Sequence, residues 1–260
     1  MNLNQLEAIL TVITQEASHR YSIHLYKSVS STNTMLWQLL SQKAKPATIV
    51  IAQQQTAGRG QWGRQWTSGE GGLYLSYAIA PQLDAIHSYQ LTMGSAWGIA
   101  TVLRDRGIPV ALKWPNDLIL CGRKLGGILT ETKICAGKIT QAVIGVGINW
   151  ANPVPKTGIN LRSFLMHQPE STINSLEMLA AVTILGITTG CEAESDILPA
   201  YEKLLTSIGR TVKIDGHLGT IIGVAVNGNL RVQLHHDNTE ILLPVGTISL
   251  GYEAAEETDC

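Results

Sequence analysis

Neither sign of charge is in excess in this chain, and charged residues of any kind are scarce at 15%. Nineteen Lys and Arg face twenty Asp and Glu, a formal net charge of −1. A protein that grips a nucleic-acid backbone normally carries a basic surplus, so DNA is not the expected partner. Cysteine is sparse: Cys121, Cys135, Cys191 and Cys260 lie far apart with no Cys-x-x-Cys pair. That excludes a zinc-ribbon site and a disulfide scaffold. The histidines are scattered, only His235 and His236 are adjacent, and no His-Glu-x-x-His occurs. Long hydrophobic runs are also missing. The most apolar stretch, Met178 to Thr189, suits a core helix and is too short to span a bilayer, so no membrane association is expected. The opening MNLNQLEAIL has no basic residues before its apolar ones and carries Glu7, unlike a secretory signal. The expectation is a protein of the reducing cytoplasm. A G-x-x-x-x-G-K-[ST] phosphate loop is absent as well.

What is present is apolar material, 45% of 260 residues, enough for one medium domain with an appendage. Residues 1–23 have room for one helix. Ser31-Thr32-Asn33 offer cap-type side chains ahead of Met35, Leu36, Leu39 and Leu40 at helical spacing. Thr48–Ala52 reads as a strand by its β-branched run. Strands are further predicted at Leu73–Ala80, Val110–Trp114, Leu118–Cys121, Leu125–Thr132 and Ala142–Asn149, and helices at Tyr89–Arg106, Ser175–Gly190 and Ile197–Ser207. After Gly209 short β-type runs alternate with turn signals such as Asp215-Gly216 and Asn227-Gly228, which predicts a small five-stranded barrel ending with Thr247–Leu250. The predicted fold class is therefore α+β, a mixed central sheet with helices over residues 1–207 followed by a small β domain over 208–252. The remaining tail, 253–260, continues a polar, acidic end that begins at Tyr252 and offers little to anchor it.

Between the second and third predicted elements, residues 58–72 hold six glycines, Arg59, Arg64, Trp62 and Trp66. Gly58-Arg59-Gly60-Gln61-Trp62-Gly63 satisfies G-x-G-x-x-G, yet no helical period follows, so a dinucleotide crossover is not the reading. Glycines that let backbone N–H groups approach an anion, guanidinium forks and indoles suit an anionic or heterocyclic ligand. Taken alone the stretch also fits a solvated surface loop. Lys113-Trp114-Pro115-Asn116-Asp117 puts a cation, an amide and a carboxylate at one strand junction. Arg123-Lys124-Leu125-Gly126-Gly127 begins a strand with room beside its backbone, although Lys124 by itself fits an ordinary hairpin lysine. Gly145-Val146-Gly147-Ile148-Asn149 is an apolar strand whose glycines mark a close approach.

Taken together, Ser31-Thr32-Asn33, Gln55 with Gly58-Arg59-Gly60-x-x-Gly63-Arg64, Lys113-Trp114-Pro115-Asn116-Asp117, Arg123-Lys124-Leu125-Gly126-Gly127 and Gly147-Ile148-Asn149 resemble the biotin protein ligases, in that family's order and over about Tyr21 to Leu250. The resemblance implies a class II synthetase-like catalytic domain with an SH3-like C-terminal domain. It implies ATP and biotin as substrates with Mg²⁺ on the phosphates, and a biotinyl-5′-AMP intermediate. The implied acceptor is a lysine of the biotin carboxyl carrier protein domain of acetyl-CoA carboxylase. Ser31, Thr32, Asn33, Gln55, Gly58, Gly60, Gln61 and the backbone around Arg59 would hold biotin's head. Trp66, Gly126, Gly127, Gly145 and Gly147 would line its tail. Lys124 would meet the carboxylate and then the acyl phosphate. Arg59, Arg64, Lys113, Lys124, Asn116 and Asn149 would face ATP and the adenylate, with Lys124, Arg59, Arg64 and Asp117 as the catalytic set. A free lysine with a pKa near ~10.4 is only roughly 0.04% neutral at pH 7, and an ordinary carboxylate is far too weak a base to strip it. Asp117 is therefore expected to draw in and orient the amine.

The chain departs from the family in two places. Gln61 stands where many relatives carry an arginine associated with retaining the adenylate, and residues 152–159 lack the tryptophan that some relatives place over adenine. The family's longer members add an N-terminal DNA-binding domain. Its absence here implies a single-function ligase, while a homodimer is left open. The competing readings are a lipoate protein ligase of related fold and a non-catalytic biotin-binding module. Gln55, Ser31 and Thr32 argue for a polar head group against the first. Lys124, Asn116 and Asp117 argue for phosphate and amine chemistry against the second.

Overall fold

The structure is a computed structural model and describes residues 1–14, 21–168, 170–193, 197–248 and 250–252. Its larger sheet runs β1 (Ser22–Val29), β2 (Thr48–Gln55), β3 (Leu73–Ile79), β8 (Lys138–Ile148), β7 (Arg123–Cys135), β6 (Asp117–Leu120), β5 (Ala111–Lys113), with the short β4 (Leu83–Asp84) paired to β8. β1 and β2 are parallel and the other pairs antiparallel, the mixed sheet expected.

Side chains alternate faces along a strand, and β8 shows what this sequence does with that period. Ile144, Val146 and Ile148 are buried on one face, while Val143, Gly145 and Gly147 belong to the other. The first face packs on α3 (Tyr89–Arg104) and α5 (Leu176–Cys191), with α1 (Leu3–Thr14) laid against α5. α5 buries residues around its whole circumference, as a helix without a polar face must. α3 and α5 approach closely because glycines meet at the crossing: a Cβ on Gly186 would sit 2.5 Å from Ile99 Cα. On the second face α2 (Thr32–Ser41) covers the sheet through Leu36 against Val50, Ala78 and Val143. The rest of that face stays open.

A register shift between β6 and β7 decides where the next strand's cation points. Leu118 pairs with Gly126 but Ile119 pairs with Lys124, so Leu125 is extra. Such a bulge re-aims side chains. Leu125 enters the core, fully buried, and Lys124 turns to the open face.

The second sheet is a meander in the order β12 (Glu240–Leu243), β11 (Leu230–Leu234), β10 (His217–Val224), β9 (Thr211–Ile214). It has four strands where five were predicted. Thr247, Ile248 and Leu250 are not in a strand, and Ser249 lies outside the described residues. The predicted helix at Ile197–Ser207 is only α6 (Leu198–Glu202). Past it Leu205 forms a parallel bridge with Leu112, a pairing that wins over further helix. The small sheet docks on the larger domain: Trp114 Nε1 donates to Gly228 O at 3.0 Å, and Val224 N–H donates to Glu202 at 2.5 Å.

Candidate active site

Every candidate residue named from the sequence except Gly58 and Gly126 borders one cavity of about 840 Å³ on the open face of the sheet. The two exceptions act behind it. A Cβ on Gly58 would meet Trp66 O at 2.5 Å, and one on Gly126 would meet Gly147 O at 2.6 Å. They permit close backbone packing and do not touch the cavity. Residues 58–72 are not a free loop either. Arg59 and Gln65 form a bridge, Trp66 N–H donates to Gly58 O at 2.9 Å, and Gln61–Gly63 is a 3-10 turn.

One end of the cavity is a mesh of hydrogen bonds among uncharged side chains, with the Glu131 carboxylate behind Asn33. Ser31 was predicted to cap α2 through its side chain, but makes no such bond, and Thr32 and Asn33 point inward instead. Thr32 donates its N–H at 2.8 Å and its hydroxyl at 3.2 Å to Gln55 Oε1. Gln55 Nε2 donates to Ser68 Oγ at 2.8 Å, and Ser68 donates to Trp66 O at 3.0 Å. Ser76 Oγ lies 2.6 Å from Asn33 Oδ1 and 2.8 Å from Thr32 Oγ1. Asn33 Nδ2 donates to Glu131 at 2.9 Å, which also accepts from Trp37 Nε1 at 3.2 Å. Glycine is required underneath, because a side chain at Gly145 would run into the Asn33 carboxamide. At Gly147 a Cβ would sit 2.5 Å from Trp66 Nε1, which is buried with no hydrogen-bond partner among the described residues.

The other end is cationic around a single carboxylate. Asp117, 7% exposed, has Lys124 Nζ at 2.6 Å from Oδ1 and Lys113 Nζ at 3.7 Å from Oδ2. Burial pulls the Lys113 ammonium down to about 8; Asp117 opposes the shift, and the charges of Lys124 and Arg64 add to it. Asn116 is locked to β7, its Nδ2 donating to Ile128 O at 2.7 Å. Asn149 Nδ2 donates to Lys124 O at 3.3 Å and its Oδ1 accepts from Asn152 at 3.0 Å. The buried Tyr201 donates to Pro115 O at 2.9 Å, fixing the junction before Asp117. Its phenol is held well above the usual range by that burial.

Arg59 stands apart from these cations. Its guanidinium is half exposed and pairs with Glu131 at 2.9 Å. Glu131 was missed, although the strict alternation Gly127, Leu129, Glu131 along β7 places it on the cavity face. Ser68 and Ser76 were missed too, being ordinary residues in a loop and a strand. Tyr252 was assigned to a loose end. It instead donates to Asp117 Oδ2 at 2.7 Å, with Lys113 Nζ 3.5 Å from its ring centroid. Burial, with the adjoining carboxylate, drives that phenol far above its ordinary range, so it remains a donor. No signal in the polar tail marks this residue.

Among the described residues no helix is long and apolar enough to cross a membrane. Residues 25–149 match the biotin/lipoate A/B protein ligase family. The bifunctional ligase/repressor BirA of Escherichia coli (strain K12) is 34% identical over 200 residues, 74% of this chain and 62% of that one. A biotin--[acetyl-CoA-carboxylase] ligase of Paracoccus denitrificans is 34% identical over 105 residues, 39% of this chain and 44% of that one. The chain spans between 38% and 62% of the length of such bacterial relatives. The solved structure of a biotin protein ligase from Aquifex aeolicus in complex with biotin and ATP superposes with a TM-score of 0.67 at 24% identity, covering 89% of this chain and 99% of that one. That likeness carries the fold.

Proposed function

We propose that this chain, whose residues 25–149 match the biotin/lipoate A/B protein ligase family, is a biotin–protein ligase acting through an acyl-adenylate. A carboxylate oxygen of biotin attacks the α-phosphorus of ATP and pyrophosphate leaves. The lysine amine of a carrier domain then attacks the acyl carbon, and AMP leaves with the former carboxylate oxygen. The proposed acceptor is the biotin carboxyl carrier domain of acetyl-CoA carboxylase, in keeping with the name of the Paracoccus denitrificans relative, a biotin--[acetyl-CoA-carboxylase] ligase.

The observation that carries this reading is one cavity with a neutral hydrogen-bonding end and a cationic end. A ureido ring needs both donors and acceptors in fixed places, and Thr32, Gln55 and Ser68 are already fixed by one another. Trp66, Gly145 and Gly147 border the cavity between its two ends, where an aliphatic tail would run. At the far end Arg64, Lys113 and Lys124 exceed the single negative charge of Asp117. Such a site is electrostatically prepared for a carboxylate and a triphosphate, whose charge must be stabilised as they meet. In this reading Lys124 leaves Asp117 for the substrate carboxylate, and Asn116 and Asn149 flank the nucleotide. Magnesium would come with the triphosphate as its counterion. Asp117 is not offered to it, since both its oxygens are engaged by Lys124, Lys113 and Tyr252.

The deciding experiment incubates the protein with ATP, Mg²⁺, a carrier domain and either biotin or lipoate. A carrier mass increase with biotin is expected. An increase with lipoate alone selects the other branch of the family, whose dithiolane offers no hydrogen-bonding partner to the Thr32–Gln55–Ser68 end. Pyrophosphate release that does not depend on either acid would refute both.

A further inference from the structure

The segment that follows β12 crosses the mouth of the cavity. Val245, Gly246, Ile248, Leu250 and Tyr252 all border it, and two contacts pin the segment to the larger domain. The Trp62 ring packs on Gly246, where an added Cβ would come within 2.8 Å of it. Tyr252 reaches Asp117 at 2.7 Å, the short distance of a charge-assisted hydrogen bond. With Lys124 on the other oxygen, both carboxylate oxygens of Asp117 are already engaged where an arriving ammonium would bind. The Tyr252 ring meanwhile holds the Lys113 ammonium against its face. One residue thus covers the carboxylate and steadies a cation, in a position that the acceptor lysine would have to enter.

We propose that Tyr252 is a latch on Asp117: its phenol fills the acceptor amine's place, so the site adenylates closed and transfers only once the 250–252 segment lifts. The inference rests on the ligase reading above. Closure over the reacting groups excludes water from an intermediate that water would destroy. Opening exposes the carboxylate at the moment a carrier arrives. Tyr252 acts through Asp117 and is a positioning residue.

Tyr252→Phe keeps the ring beneath Lys113 and removes only the hydroxyl. The test loads the full chain with biotin and ATP, adds carrier at subsaturating concentration, and follows acylation by rapid quench. Each rate is divided by the same variant's biotin-dependent pyrophosphate exchange. Tyr252→Phe is expected to raise this transfer-to-exchange ratio about three- to ten-fold and to lower the carrier KM. Tyr252→Ala should do the same and also shorten the life of the adenylate without carrier. General damage to the site would depress both half-reactions and leave the ratio where it was. A ratio unchanged or lowered in Tyr252→Phe, with wild type active, overturns the latch alone. Wild-type protein that neither exchanges pyrophosphate with biotin nor labels the carrier overturns the ligase reading and the latch with it.

Discussion

The two ends of the cavity are built on opposite principles. At the Thr32–Gln55–Ser68 end uncharged groups bond mainly to one another, with the Glu131 carboxylate behind Asn33, and that mesh is already formed in this structure. At the Lys113–Asp117–Lys124 end one carboxylate answers two ammonium groups, and a tyrosine shares it. The first end recognises shape and hydrogen-bond pattern by staying still. The second holds a surplus of charge that a bound anion would relieve, and its partners must trade places as the reaction advances. Substitutions should therefore separate into those that weaken recognition and those that slow chemistry.

The largest effect falls at the charged end. Lys124→Ala removes the only cation bonded to Asp117 at 2.6 Å and the one re-aimed onto the open face by the β7 bulge. Biotin-dependent pyrophosphate exchange should drop about 10²–10³-fold, the scale of losing one pre-aimed stabilising group. A fall confined to biotin affinity, with exchange at saturation intact, would erase the distinction between the ends. Asp117→Asn comes next. Transfer from preformed adenylate should fall on the order of 10²-fold, typical of a group that manages a proton-bearing nucleophile. Adenylation should fall less, because Lys113 and Lys124 lose their shared anion without losing their charge. Equal loss in both half-reactions, measured by rapid quench, would reduce Asp117 to a tether for lysines.

The neutral end responds more mildly. Thr32→Val preserves shape and removes the hydroxyl bond to Gln55 Oε1, which keeps the backbone N–H of residue 32. One neutral hydrogen bond is worth about 0.5–1.5 kcal/mol, so biotin should bind roughly 2- to 12-fold more weakly by calorimetry. An equal rise in the KM for ATP would show that the two ends do not act separately.

Much of this division was legible in the sequence, for physical reasons that also mark where legibility stopped. Short motifs with unusual composition carried the cations and the glycines: Lys113 to Asp117, Arg123 to Gly127 and Gly145 to Asn149 all reach the cavity by strands whose period is two. The same period would have yielded Glu131, four residues past Gly127. Gly58 and Gly126 were misread because a glycine's role, contact with ligand or with backbone, depends on what lies above it. Ser31 was taken for a side-chain cap, but tertiary partners on β2 and β3 outbid the local capping bond for its neighbours Thr32 and Asn33. The fifth strand predicted at Thr247–Leu250 is not seen at Thr247, Ile248 and Leu250, which border the cavity instead of pairing in a ladder. Tyr252 was out of reach altogether. It meets Asp117 across 135 positions of chain, and nothing local distinguishes it from the polar residues around it.

The smallest effect is graded, and it concerns Lys113. Its ammonium titrates near 8 in the folded chain, chiefly because burial disfavours the charge, whereas the unfolded residue titrates at the ordinary 10.5. Between those values the unfolded chain binds more protons than the folded one, so Lys113 contributes stability that grows as pH rises from about 8 toward 10.5. Function runs the other way. Above pH 8 the free site gives up one of the cations that meets the triphosphate, so kcat/KM for ATP should decline through that pH, a profile that reports the free enzyme. Lys113→Met should lower kcat/KM for ATP at neutral pH by several-fold and flatten the profile between pH 7 and 9. A wild-type profile already flat across that interval would mean that Asp117 and Tyr252 keep the ammonium charged, and that the charged end is as settled as the neutral one.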